Sequence, residues 1–214
     1  MKKAILFLLA AFIILCSAVS CAKPQDKTES TTDGGSRAEP MDLSSLDLSA
    51  YVELGEYRGL EIEYTPDGAS KGDAVWQKVV EGSTVKDYPK GQLDYYFEQS
   101  KARYEYLAKE GNESYENILE ALGVTEETML DEARALVRED LVFYALLKAE
   151  NVVLSDSDKE NHFERYVKKF VDDYGYTEAY VRGEMEEHIY QTMLFDKLLE
   201  KLVTLNTFKT SEER

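Results

Sequence analysis

Ala4 to Leu15 is an unbroken run of 12 apolar residues behind Lys2 and Lys3. That length matches the apolar core of a signal peptide and falls short of the ~20 residues a membrane-spanning helix needs. Apolar periodicity then disappears. Residues 22–50 contain "KPQDKTESTTDGGSRAEP", rich in Ser, Thr, Gly, Pro and charge, which predicts a flexible tether. Within it, 41–50 (MDLSSLDLSA) holds some Leu without a sustained period and reads as an extended or briefly ordered lead-in. A period of two appears next, in "YVELGEYRGLEIEY", Tyr51 to Tyr64, where Glu61, Ile62, Glu63 and Tyr64 alternate polar with apolar. This stretch predicts a half-buried strand. A lone strand cannot satisfy its own ladder hydrogen bonds. It is expected either to pack along the helical domain with Leu60, Ile62 and Tyr64 buried or to stay a loosely held arm, and the nine-residue spacer (65–73) that keeps it close favours packing.

Beyond the turn-forming "TPDGASKGD" (65–73), the period becomes helical. A short helix over Ala74 to Glu81 has Val75, Trp76, Val79 and Val80 on its apolar face. Pro89 suits the start of the next, which runs to about Glu110 with Leu93, Phe97, Ser100, Tyr104 and Leu107 on one face and Gly111 as its stop. A helix over Tyr115 to Leu122 ends at Gly123. Thr125 caps a longer one reaching about Glu150, and its "LVFYALL" from Leu141 is apolar all round, as a central core helix would be. Ser155 caps a helix in which Phe163, Tyr166, Val167, Phe170, Val171 and Tyr174 repeat at a spacing of three and one, stopped by Gly175. Thr177 opens a last long helix through Val181, Met185, Ile189, Leu198 and Leu202. The pattern predicts a mostly α protein: a helical domain over 71–205, an extended strand segment (51–64) before it and a polar C-terminal tail (206–214), without internal repeats.

Composition changes this picture in two places. The net charge is −17, from 42 acidic and 25 basic residues, which excludes a nucleic-acid surface built on clustered Lys and Arg. It fits a self-repelling surface or a partner of positive charge. The second place is the cysteine count. Ala18-Val19-Ser20-Cys21 follows the apolar run and resembles a bacterial lipoprotein cleavage site, with Ala18 where Leu is commonest. The expectation is a signal peptide over 1–20 and a lipid (palmitate) on Cys21, which anchors the chain to the outer side of a membrane by a tether over 21–50. Cleavage near Ser20 as an ordinary secretory signal is the alternative, but it would leave Cys21 as an unpaired thiol.

Candidate chemistry is sparse. The two histidines, His162 and His188, have no histidine at metalloprotease spacing and no glutamate three residues before them; Glu184 and His188 lie one helical turn apart, close enough to pair. No nucleophile–base arrangement and no phosphate-cradling glycine loop appear, so no enzyme activity, cofactor or metal is expected. What stands out is 15 Tyr against 8 Phe and 1 Trp. Tyr has an apolar body and a wet tip, suited to a groove that holds apolar polypeptide. Tyr88, Tyr95, Tyr96, Tyr106, Tyr115, Tyr176, Tyr180 and Tyr190 are the candidate residues; core-edge packing with satisfied hydroxyls is the competing reading.

Several stretches carry a family resemblance. "YVELGEYRGLEIEY" resembles the segment that introduces the isomerase domain of trigger-factor-like proteins. The stretches 74–111, 138–158 ("REDLVFYALLKAENVVLSDSD") and the final helices resemble the C-terminal chaperone domain of that family, a fold also seen in SurA-type chaperones. The resemblance spans about 51–205. Only nine residues (65–73) separate Tyr64 from Ala74, far below the ~50 of a domain, so the isomerase domain and its activity are not carried over. What the resemblance implies is a helical arm that cradles unfolded or partly folded chains without catalysis. A helical module docking one specific envelope or secretion partner is the alternative.

Overall fold

The structure is a computed structural model and describes residues 38–65 and 69–210. The predicted signal peptide, Cys21 and the first part of the tether lie outside the described residues, as do the turn residues 66–68. The fold is mostly helical, with seven α-helices among the described residues: α1 Lys71–Gly82, α2 Lys90–Gly111, α3 Tyr115–Leu122, α4 Glu126–Glu150, α5 Asp156–Tyr174, α6 Glu178–Glu184 and α7 Glu186–Thr204. Four short strands complete it: β1 Val52–Glu53, β2 Glu61–Tyr64, β3 Thr84–Val85 and β4 Thr207–Thr210. The chain divides into two compact units. Of the described residues, 38–41 and 89–137 form the first, and 42–88 with 138–210 form the second; α4 contributes to both.

Helix boundaries follow side-chain caps. Ser70 with Asp73, and Ser155 with Asp158, each make a reciprocal capping box at the starts of α1 and α5. Ser114 and Thr177 cap α3 and α6, and Thr125 Oγ1 accepts from Thr128 N–H at the head of α4. Gly123 and Gly175 close α3 and α5 in the left-handed conformation, with φ 66° and 73°. α2 departs from expectation. Gly111 is its last helical residue, and the left-handed cap is Asn112 at φ 51°, a position Asn tolerates through its short polar side chain. The predicted last long helix is also two helices. Met185 (φ −115°, ψ 9°) breaks it between α6 and α7, although its N–H still bonds Val181 O and its carbonyl accepts from Ile189 N.

In the first unit the buried stripe of α2 is Gln92, Ser100, Tyr104 and Ala108. Met41 N–H donates to Gln92 Oε1 at 2.8 Å. The Arg103 guanidinium donates to Tyr104 Oη (2.8 Å) and Glu132 Oε2 (3.1 Å), joining α2 to α4 by a polar seam. Met129, Ala133, Leu136 and Val137 are the buried residues of this half of α4.

In the second unit Leu141, Val142 and Leu146 of "LVFYALL" are fully buried, while Phe143, Tyr144 and Leu147 are half-buried. The predicted faces hold at Tyr166, Val167 and Phe170 on α5, Val181 on α6, Met185 between the helices, and Ile189, Leu198 and Leu202 on α7, all buried. Burying each larger side chain contributes about 1.5–3 kcal/mol. Trp76 of α1 meets Phe195 of α7 edge-on (5.0 Å), and Phe195 meets Phe143 (5.9 Å).

The lead-in at 41–50 is more ordered than an extended arm. Asp42 and Asp47 each accept from the backbone and hydroxyl of the Ser two residues on, shaping two 3-10 turns, Leu43–Ser45 and Leu48–Ala50. Each turn turns one Leu inward, Leu43 and Leu48, both buried.

The stretch Tyr51 to Tyr64 is two strands rather than one. Val52–Glu53 pairs antiparallel with Thr84–Val85, and Gly55 then passes so close to the end of α1 that a Cβ would stand 2.2 Å from Gly82 O. Glu61–Tyr64 pairs in parallel with Thr207–Thr210, Ile62 opposite Phe208. Part of the predicted polar tail is therefore the missing strand partner. Ile62 is buried as expected, whereas Leu60 and Tyr64 are half-buried; Tyr64 meets Phe208 edge-on at 6.0 Å, with Lys71 Nζ above both rings.

A polar clamp holds this junction. Asn206 accepts from Leu60 N–H (2.8 Å) and donates to Tyr57 O (3.0 Å) and Leu202 O (2.8 Å). Arg58 and Lys201 both pair with Glu150, whose side chain is 2% exposed. Burial pushes the Glu150 carboxyl up, but hydrogen bonds from Arg58, Tyr57 and Lys201 outweigh it and hold it below the ordinary range.

Candidate client-binding surface

Four of the eight candidate tyrosines belong to the first unit. Tyr95 and Tyr96 stand side by side on α2 as a ring pair 5.2 Å apart, and both are half-buried. Tyr106, near the end of α2, is 48% exposed. Tyr115 opens α3; its hydroxyl approaches Met129 Sδ of α4 at 3.9 Å. Burial raises the Tyr115 phenol above its ordinary value, and Glu105, Glu126, Glu116 and Glu98, drawn from three helices, raise it further. An aromatic edge with acidic surroundings is the result.

Two apolar residues join this surface that were not among the candidates. Leu107 is 41% exposed and Leu122 56% exposed. Leu107 corrects the predicted face of α2, because the buried position at that level is Ala108. Leu107 is three residues from Tyr104 and Ala108 four, spacings that both fall on one helix face, so only the exposures separate them. Leu122 ends α3, a helix without a buried residue, whose Ile118 and Leu119 are half-buried.

The other four tyrosines belong to the second unit, and all are half-buried. Tyr176 and Tyr180 stack at 5.6 Å with their planes 30° apart at the start of α6. Tyr190 is largely engaged. Its hydroxyl donates to Glu186, Phe163 packs at 5.6 Å, and Lys159 Nζ lies 4.9 Å from its ring centre. Tyr88 sits before Pro89, its N–H held by Asp87 Oδ1. Val153 is an exposed apolar residue of this unit that the spacing did not single out, and Tyr174, expected on the apolar face of α5, is 43% exposed at the helix end.

The other chemical candidates resolve differently. Among the described residues no group of three or more His, Cys, Asp or Glu is arranged to hold a metal ion. An open cleft of about 360 Å³ is lined by Gly183, Glu184, Glu186, Glu187 and Tyr190. The pairing expected between Glu184 and His188 does not form at Nε2, which is buried without a hydrogen-bond partner. No helix among the described residues is long and apolar enough to cross a membrane.

Fold and surface define a mostly helical protein that leaves aromatic and aliphatic side chains at the surface of small helical units. Comparison with known proteins adds a relative. The chain is similar to trigger factor of Caldicellulosiruptor saccharolyticus, 26% identical over 149 residues that cover 60% of this chain and 33% of the relative. It thus spans about a third of that protein's length. No family model matches the chain, and no solved structure matches it.

Proposed function

We propose that the protein is a non-catalytic chaperone that holds unfolded or partly folded polypeptides on the outer side of a membrane, tethered by a lipid on Cys21. One observation carries the reading: Tyr106, Leu107 and Leu122 of the first unit remain between 41% and 56% exposed, on helices that bury few apolar residues of their own. Tyr106 and Leu107, adjacent and open near the end of α2, support a surface that meets other chains. Similarity to trigger factor points the same way. The acidic surface keeps loaded copies apart by repulsion. The short interval between β2, which ends at Tyr64, and α1, which begins at Lys71, supports a reading without prolyl isomerisation.

The test is suppression of aggregation. The purified chain, added in several-fold excess to an aggregating unfolded client, is expected to lower light scattering. The triple variant Tyr106→Ser, Leu107→Ser, Leu122→Ser should lose most of that effect with its helix content unchanged. Unaltered scattering with the parent chain would sink the reading. Capture of one folded partner at fixed stoichiometry, in place of many unfolded clients, would identify a docking module instead.

A further inference from the structure

Among the described residues a single buried side-chain polar atom has no hydrogen-bond partner, Nε2 of His188. Such an atom is costly to leave unpaired, and folded chains keep few of them. His188 lies in the first turn of α7, three residues past the break at Met185. Its ring meets that of Phe170 on α5, with centroids 5.5 Å apart and planes at 66°. Phe170 is 1% exposed, and Val181, Met185 and Ile189 around the break are as deeply buried.

The charged residues beside this packing on α5, α6 and α7 are exposed, and Arg182 of α6 pairs with Glu164 of α5. On α5, Lys169 and Asp173 flank Phe170 and are exposed; the Tyr174 ring stands 5.6 Å beyond it. On α6 and α7, Glu184, Glu186 and Glu187 are exposed, and Glu186 accepts from Tyr190. On α4, the Tyr144 phenol is raised to about 12, by burial first and then by Asp140, Asp42 and Glu187. None of these charges acts on His188. Burial alone lowers its pKa below the ordinary histidine value.

We propose that His188 is an acid-operated latch on the packing of α5, α6 and α7. Neutral imidazole can lie against Phe170 with one nitrogen unpaired. Imidazolium carries a second N–H donor and a full charge, and one aromatic ring does not replace the water it has lost. The cleft lined by Glu184, Glu186 and Glu187 lies within one helical turn. An imidazolium that swings into it exchanges a ring for three carboxylates, so protonation favours the open arrangement over the closed one. Opening uncovers Phe170, Val181, Met185 and Ile189. A base whose folded pKa is depressed holds the closed form fully above the ordinary histidine value and releases it as pH falls toward the folded value. The use of that surface for clients rests on the proposed chaperone function; the latch itself does not.

An apolar dye and the histidine ring resonances, followed from about pH 7.5 to about 4.5, test the idea without a client. The wild-type chain is expected to gain dye fluorescence reversibly, with the His188 resonance titrating together with it and below the ordinary histidine value. His188→Phe and His188→Gln should lose the transition, and His162→Gln, an exposed control on α5, should keep it. Retention of the wild-type midpoint in both His188 variants would overturn the latch. So would an ordinary titration of the His188 resonance, which is read on the parent chain and decides the matter even if a variant fails to fold. A dye transition without client capture at any pH would overturn the chaperone reading and leave the latch standing.

Discussion

Burial on α4 pushes the Glu139 carboxyl up from 4.5 to about 7, with Asp140 adding to the rise and a hydrogen bond from Trp76 opposing it. The sign is fixed by which state binds the proton. A folded value above the unfolded one means that the native chain holds the extra proton, so this contribution is complete below about 4.5 and is lost as pH rises through about 7. Glu139→Gln keeps an acceptor for Trp76 and removes the buried charge. It is expected to raise the urea midpoint at pH 8 and to leave it nearly unchanged at pH 5, a difference on the order of 1–3 kcal/mol. Equal midpoints for variant and parent at pH 8 would show that the carboxylate is better solvated than its place beside Trp76 implies. His188 acts in the opposite sense over an overlapping range, losing stability as pH falls, so the parent chain has a flatter pH profile than either single variant. Neither group was legible in the sequence as a buried charge, since both sit in helices whose polar residues mostly face solvent.

At the scale of elements, Asn206 is the sharpest case. It makes three hydrogen bonds, to Leu60 N, Tyr57 O and Leu202 O, and so ties the end of α7 to the loop before β2. Asn206→Ala removes all three and takes these partners from Leu60 N–H and Tyr57 O, while Leu202 O keeps Leu205 N–H, an expected loss of about 2–3 kcal/mol. Amide exchange should quicken at Gly59, Leu60 and Thr207, while the amides of α2 and α3 in the other unit keep their protection. Unchanged exchange at Thr207 would mean that β2 and β4 hold together without the clamp. The helices were readable because their signals are local: Ser155 with Asp158 at one end of α5, Gly175 at the other, and Tyr166, Val167 and Phe170 between. β4 was not, because "TFKT" holds one apolar residue and its partner is distant in sequence. The break at Met185 escaped for a related reason: Met185 is as buried as a continuous helix would make it, and only its backbone departs.

For the whole molecule, the mostly helical architecture was legible, while the division into two units was not. α4 reads as one continuous helix, amphipathic first and apolar all round from Leu141, yet its halves serve different units. The candidate tyrosines were chosen by residue type, and type does not report exposure: Tyr106 is open, whereas Tyr190 is engaged on its ring and hydroxyl. Membrane attachment belongs to this scale too. Two acyl chains give stable anchoring where one is marginal. Cys21→Ala is accordingly expected to move the protein from the membrane fraction to the soluble one, as fractionation followed by immunoblotting would read it; retention in the membrane fraction would end the lipid proposal. The β2–β4 pairing has a consequence of its own. Tyr57 and Asn206 are 149 residues apart, so their contact closes a loop that takes in every α-helix among the described residues. On a chain that emerges from its N-terminus, β2 must wait, unpaired by β4, until all seven described α-helices have appeared. The protein therefore passes through its own period of incomplete assembly, with an open strand edge, before it is complete.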